Sequence, residues 1–297
     1  MALKDFALAM VVIVAWGMNF VISKYSLEGL PPLLLGCVRF TLVVFPAIFF
    51  VRRPAISWPW LTAYGLTISM GQFGFAFEAI AHGLPVGLAS VVLQAQAFFT
   101  LILASVIMKE KMSASGLSGL LVAGAGLFLI SLQGSNAPPL TGLLLMLGSA
   151  LCWAAGNLIT RHFKGVNPVA LVIWGALIPP VPFLLLSWFI EGPEAIQLSL
   201  EHLTVATVAN VLYLSYVASL LGYGLWSYLL GRYPAGKIAP LSLLVPVVGI
   251  GSSVWLLEEH LSARQWTGCV LVMGGLVINL FAPRLGQGLK RRTGTVK

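Results

Sequence analysis

A guanidinium inside a hydrophobic run is the strongest chemical statement in this sequence. Arg39 lies about eight residues into the apolar stretch 33–51. At that depth in a bilayer its charge costs about 2.5–3.5 kcal/mol on insertion scales, so it must face a partner or a polar cavity. Glu78, near the end of the stretch 61–81, is the one acidic side chain inside any apolar stretch and would lie at a comparable depth. Two roles are open for Arg39. It can be held structurally, by Glu78 or by helix carbonyls, or it can attract the carboxylate of a solute.

The other polar groups in apolar surroundings come in small sets. Trp16 and Asn19 stand about one helical turn apart, as do Trp153 and Asn157. Residues three and four apart share a helix face, so each set presents an aromatic wall and an amide together. Asn supplies both donor and acceptor, which suits the ammonium and carboxylate of a zwitterion. Interhelical hydrogen bonding, worth about 0.6 kcal/mol in membranes, is the alternative use. Gln72, Gln94 and Gln96 add further amides. Gln94 and Gln96 would project about 200° apart on a helix, so only one of them can line a given cavity. Gln94 is taken as that candidate and Gln96 as packing. Tyr223 and Trp226, three apart, and Ser242, flanked by Pro240 and Pro246, complete the candidate lining.

Other chemistries find little support. His82, His162, His202 and His260 are scattered along the chain, so a metal site is not expected. Cys37, Cys152 and Cys269 all fall in apolar stretches, which suits packing rather than disulfides or metal ligands. Neither a catalytic triad nor a phosphate loop is visible. The expectation is therefore no enzyme, no cofactor and no metal.

These side chains need elements to position them. Hydrophobic residues make up 59% of the 297 and charged residues only 9%, with a mean hydropathy of +0.96, which argues against a soluble domain. Ten apolar stretches can be drawn, at 6–23, 33–51, 61–81, 86–108, 115–132, 140–159, 169–190, 205–230, 238–257 and 265–281. In hydrocarbon every backbone amide must be paired within the chain, so these predict helices. Lys4 before the first stretch gives it the look of a leader. No small-residue cleavage site follows, and the stretch is read as a first span.

The stretches repeat. Trp16 and Lys24 recur as Trp153 and Arg161, about 137 positions on, and Pro32 and Pro46 recur as Pro168 and Pro182, about 136 on. Pro85, Gly87, Glu110, Ser113 and Gly119 recur as Pro234, Gly236, Glu259, Ser262 and Gly268, about 149 on. An insertion around 191–202 accounts for the difference. Five crossings per unit would bring the second copy into the membrane upside down, the device by which many transporters build a two-sided midplane site. The predicted units are residues 1–135 and 136–283, followed by a basic tail at 284–297. Pro46, Pro182, Pro240 and Pro246 are read as hinges, ordinary kinks being the alternative. Ser115, Gly119 and Ala123 form a small-residue stripe suited to close helix packing.

Charge placement sets an orientation. With the N-terminus inside, 14 Lys and Arg fall on the inner side, from Lys4 through Arg52, Arg53 and Arg161 to the tail, and only Lys24 and Arg264 on the outer side. Both termini are therefore expected in the cytoplasm. The net charge of +8 is explained by this asymmetry without a nucleic-acid partner.

Certain strings carry a family resemblance: Ala15-Trp16-Gly17-Met18-Asn19-Phe20, Arg39-Phe40, the run from Gly87 to Phe99, Gly222-Tyr223-Gly224, Gly231-Arg232-Tyr233 and the run from Ala239 to Val247. With the doubled five-helix unit, they make the chain resemble the EamA group of the drug/metabolite transporter superfamily. The Gln94-Ala95-Gln96 and Pro240–Val247 segments are most similar to the O-acetylserine/cysteine exporter subgroup. The resemblance implies an all-α membrane protein of ten helices in two inverted repeats, in the inner membrane of a bacterium. It also implies a secondary exporter of small amino acids working by alternating access, with a small-molecule substrate and a monomeric state. Aromatic amino acids or hydrophobic cations are the alternative cargo, and a passive channel the alternative mechanism.

Overall fold

The computed structural model describes residues 1–110, 112–132, 138–163 and 165–293. Among these the regular structure is helical. Seven helices are long and apolar enough to cross a membrane: α1 (Leu3–Leu27), α2 (Pro32–Phe49), α4 (Val86–Ile107), α5 (Ala114–Ser131), α6 (Leu140–His162), α7 (Pro168–Glu191) and α9 (Val205–Arg232). Three further helical stretches overlap other apolar stretches of the sequence. They are α3 (58–81), α10 (Pro240–Leu256) and α11 (Ala263–Thr293). The acidic insertion carries a short surface helix, α8 (Pro193–Glu201). The junction expected at 135–136 lies outside the described residues. α11 continues to Thr293, through the first ten residues of the segment read as a basic tail.

Breaks in the helices recur at matching places. A π segment interrupts α3 at Gly65–Gly71 and another interrupts α9 at Tyr213–Leu221. A 3₁₀ turn interrupts α4 at Leu93–Ala95, and another, Ala239–Leu243, opens α10. Such irregular turns leave carbonyls free of their usual partners and mark places where helices bend or bind. The prolines read as hinges divide. Pro46 sits at a break between Val44 and the 3₁₀ turn Ala47–Phe49, and Pro240 lies in the turn that opens α10. Pro182 and Pro246 sit in regular helix, and the break in α7 comes earlier, at 176–179, ahead of Pro180. Proline is tolerated in a first helical turn, where its missing N–H has no partner to lose.

Most of the packing obeys an exchange of halves. α5 lies against α11, α2 against α7, and α4 against α10. The contact of α1 with α9 is matched by α6 with α3, α1 with α10 by α6 with α4, and α2 with α3 by α7 with α9. Some contacts have no comparable counterpart among the described residues: α11 packs on the start of α4 but α5 not on α10, and α1 meets α2 but α6 not α7. α1 packs on α3 and α4, whereas α6 makes no comparable packing on α9 or α10 among the described residues.

Contacts between helix ends define two faces. On one, Arg161 meets Glu110, Tyr233 donates to Asp5, and Arg53 stacks on Trp58. On the other, the Tyr25 hydroxyl donates to the Leu256 carbonyl, and Glu191 and Glu259 accept from the starts of α2 and α4. The first face carries Lys4, Arg52, Arg53, Lys109, Arg232 and Lys237, and is called the basic face below.

Candidate functional site

Arg39 is 1% exposed and sits on the inner side of α2. Its guanidinium carbon lies 4.1 Å from the centroid of the Phe73 ring, with Phe77 and Phe40 further out at 5.8 Å and 5.9 Å. A desolvated cation over an aromatic face gains about 2 kcal/mol, which offsets part of its burial. Its Nη2 donates to the Ser219 hydroxyl at 3.2 Å, and the Ser215 hydroxyl donates to the Arg39 backbone carbonyl at 3.1 Å. Nε and Nη1 have no partner. The alternative in which Glu78 neutralises Arg39 is not realised. The Glu78 carboxylate approaches His82 Nδ1 at 3.5 Å, one turn along its own helix toward the face opposite the basic one.

An aromatic wall stands beside this charge. The Trp16 ring lies 5.4 Å from Tyr223 and 5.2 Å from Trp226, tilted against both, so the sequence-predicted trio forms one cluster. Two features fix its orientation. The indole N–H donates to the Ala218 carbonyl at 2.9 Å, and Ala218 lies in the π segment of α9, where the wider turn leaves that carbonyl available. The cluster also requires Gly222, since a Cβ there would fall 2.5 Å from Trp16 Nε1. Ser219, which holds Arg39, directly follows Ala218, so the wall and the guanidinium share one support.

Asn19 lies on α1 and Gln72 on α3, which pack on each other and on α2. Gln72 is 3% exposed; its backbone carbonyl accepts from Ser149 at 2.6 Å, while its side-chain Oε1 has no partner. The Oδ1 of Asn19 is likewise buried and unpaired. Among the described residues, the four buried side-chain polar atoms without a hydrogen bond are Asn19 Oδ1, Gln72 Oε1 and Arg39 Nε and Nη1. An unsatisfied buried polar group costs about 1–3 kcal/mol, so each of these four atoms is a loss of stability that the fold tolerates.

The remaining candidates take other positions. Trp153 packs against the main hydrophobic core. Asn157 donates to the Gln96 amide oxygen at 2.9 Å and lies 3.3 Å from the Thr100 hydroxyl, so Gln96, read as packing, is the glutamine with a polar cross-helix partner. Gln94 is half-buried on the 3₁₀ turn of α4, and Ser242 lies half-buried in the turn that opens α10. Phe73 and Ser219 were not singled out from sequence, and Gly222 only as part of a string carrying the family resemblance. Ser215 and Ser219, four apart in an apolar stretch, and Phe73 with Phe77 carried the available signal, a polar and an aromatic stripe at helical spacing. No group of His, Cys, Asp and Glu able to hold a metal occurs among the described residues.

Comparison with known proteins places this arrangement. The profile of the EamA-like transporter family matches the chain twice, over residues 4–132 and 140–281. A protein of Salmonella typhimurium named "Probable amino-acid metabolite efflux pump" is 47% identical over 303 residues, covering 100% of this chain and 99% of its own. A protein of Escherichia coli with the same name is 45% identical over 297 residues, covering 98% and 99%. A solved crystal structure superposes with a TM-score of 0.64 at 20% identity, covering 96% of this chain and 99% of that one.

Proposed function

Because this chain belongs to the EamA-like transporter family, we propose that it is a secondary carrier exporting small amino acids and related metabolites, of the cysteine and O-acetylserine type. Ten membrane-spanning helices form two inverted repeats, 1–135 and 136–283, in a bacterial inner membrane. The basic face lies in the cytoplasm, by the excess of Lys and Arg there. The carrier acts as a monomer and alternates the exposure of one site between the halves. The names of the Salmonella and Escherichia relatives support amino-acid-derived cargo.

The observation that supports this reading is that the four unpaired buried side-chain polar atoms among the described residues belong to Arg39, Gln72 and Asn19, on the mutually packed helices α2, α3 and α1. A zwitterion satisfies this set. Its carboxylate accepts from Nε and Nη1 of Arg39, and its ammonium donates to the oxygens of Gln72 and Asn19. Trp16, Tyr223 and Trp226 bound the side-chain end, with Gln94, Asn157, Trp153 and Ser242 along the path. Glu78 stands at the exit toward the opposite face. The ring cluster also favours a second cargo, aromatic amino acids, through stacking on Trp16. Hydrophobic cations fit less well, since Arg39 repels them.

Counterflow in proteoliposomes tests the assignment, using labelled cysteine, O-acetylserine, phenylalanine and methyl viologen with and without an imposed pH gradient. Saturable, mutually competitive exchange of the first two is expected. Exchange of phenylalanine alone moves the assignment to the aromatic cargo, linear flux indicates a channel, and a pH-gradient dependence identifies proton coupling. Failure of both cysteine and O-acetylserine to exchange overturns the reading.

A further inference from the structure

On the face opposite the basic one, the α4 start and the α10 end are locked together by a single carboxylate. Glu259 accepts from the Val86 amide at 2.6 Å through Oε1 and from the Gly87 amide at 2.9 Å through Oε2. A carboxylate at a helix start satisfies orphan amides and meets the positive end of the helix dipole. The seam behind it is close. A Cβ on Gly87 would fall 2.6 Å from the Ser253 hydroxyl, and one on Gly249 would fall 2.6 Å from Ser90.

The repeat gives this lock a twin on the basic face. Glu259 corresponds to Glu110, and Val86 and Gly87 correspond to Ala235 and Gly236 at the start of the helix leading into α10. The twin is engaged elsewhere: both Glu110 oxygens accept from Arg161 Nη2, at 2.7 Å and 3.0 Å. The same repeat makes Lys24 the counterpart of Arg161. Lys24 lines a cleft of about 190 Å³ together with Glu259, yet makes no ion pair with it. Each carboxylate thus has two possible partners, a helix start and a basic side chain. At one face the helix start holds it, and at the other the cation does. The missing packing of α6 on α9 and α10 lies on the same side as the released lock.

We propose that Glu259 and Glu110 are reciprocal gate latches, a role that rests on the alternating-access reading above. In the state described here Glu259 closes the face opposite the basic one, while Arg161 withholds Glu110. In the opposite state Glu110 accepts from the amides of Ala235 and Gly236 and closes the basic face, while Lys24 receives Glu259. The exchange moves no proton and breaks no covalent bond; four hydrogen-bond acceptors change donors. Glu191 marks the contrast. It holds the start of α2 in the same manner, with Ser187 as an added donor, but the equivalent start of α7 is capped by its own Asn167. That lock has no twin and does not alternate.

Pulsed electron–electron distance measurement tests the latch in full-length protein whose Cys37, Cys152 and Cys269 are replaced by alanine. One spin-label pair, His82→Cys with His260→Cys, reports the opposite face; another, Met108→Cys with Lys237→Cys, reports the basic face. Glu259→Gln and Arg161→Gln should both lengthen the first distance and shorten the second, with the population ratio moving by about tenfold. Glu110→Gln and Lys24→Gln should both move it the other way. A merely structural Arg161–Glu110 bridge would give its two members shifts of the same sign. Same-sign shifts within that pair, or no shift in any of the four variants, overturn the proposal. The readout is distance rather than flux, so it is independent of the cargo assignment: a cargo failure leaves these distances as described, and a latch failure leaves exchange of cysteine possible.

Discussion

Arg39 is held by an aromatic face and one serine rather than by a counter-ion, and this decides what its removal should do. Replacing a buried charge by an apolar side chain of similar length is commonly neutral or stabilising to the fold. Arg39→Met should therefore leave the apparent Tm in detergent unchanged or higher. The same variant should lose counterflow and the Tm rise expected of the unmodified protein on adding cysteine or O-acetylserine. A variant that unfolds would mark Arg39 as structural, and one that stays folded and fully active would remove it from both roles. Gly222→Ala should reduce exchange strongly with only a small loss of stability, because the added methyl displaces the Trp16 indole from Ala218. At this scale the sequence was legible where a residue type was out of place, as with a guanidinium in hydrocarbon. It was not legible where the choice depended on facing. Gln94 and Gln96 differ by two positions, and the local 3₁₀ turn at Leu93–Ala95 changes the angles that a regular helix would give them.

Among the elements, α5 and α11 form a close and extensive helix pair. A Cβ on Gly126 would fall 2.6 Å from the Gly268 carbonyl oxygen, and one on Gly119 would fall 2.6 Å from that of Gly275. Small residues allow backbones to approach where lipid supplies no hydrophobic drive. Gly126→Val should cost about 1–3 kcal/mol by overpacking, read as a lower Tm in detergent. Exchange per folded molecule should persist, since the seam lies away from Arg39. The stripe of Ser115, Gly119 and Ala123 was read from spacing, and Gly126 continues it at its far end against Gly268. The π segments of α3 and α9 were not readable: no proline or glycine pattern distinguishes Tyr213–Leu221 from an ordinary apolar helix. Their matching positions emerge only from the folded chain, as does the extension of α11 to Thr293.

For the molecule as a whole, the repeated residues Trp16 and Trp153, or Glu110 and Glu259, led to the proposal of two exchanged halves, and the pairing of many helix contacts supports it. The departures include α6 against α9 and α10, and spacing in the sequence does not show them, because on the carrier reading proposed above both states share one sequence. The account stands on the two halves having opposite orientations, since without that a site at Arg39 has no access from both sides. The most direct test is labelling by a membrane-impermeant maleimide in intact cells, with single cysteines placed at Lys4, at Pro139 between the halves, and at Lys237. Labelling at 139 without permeabilisation, and at 4 and 237 only after it, is the predicted result. Residues 4 and 139 reacting from the same side would contradict it.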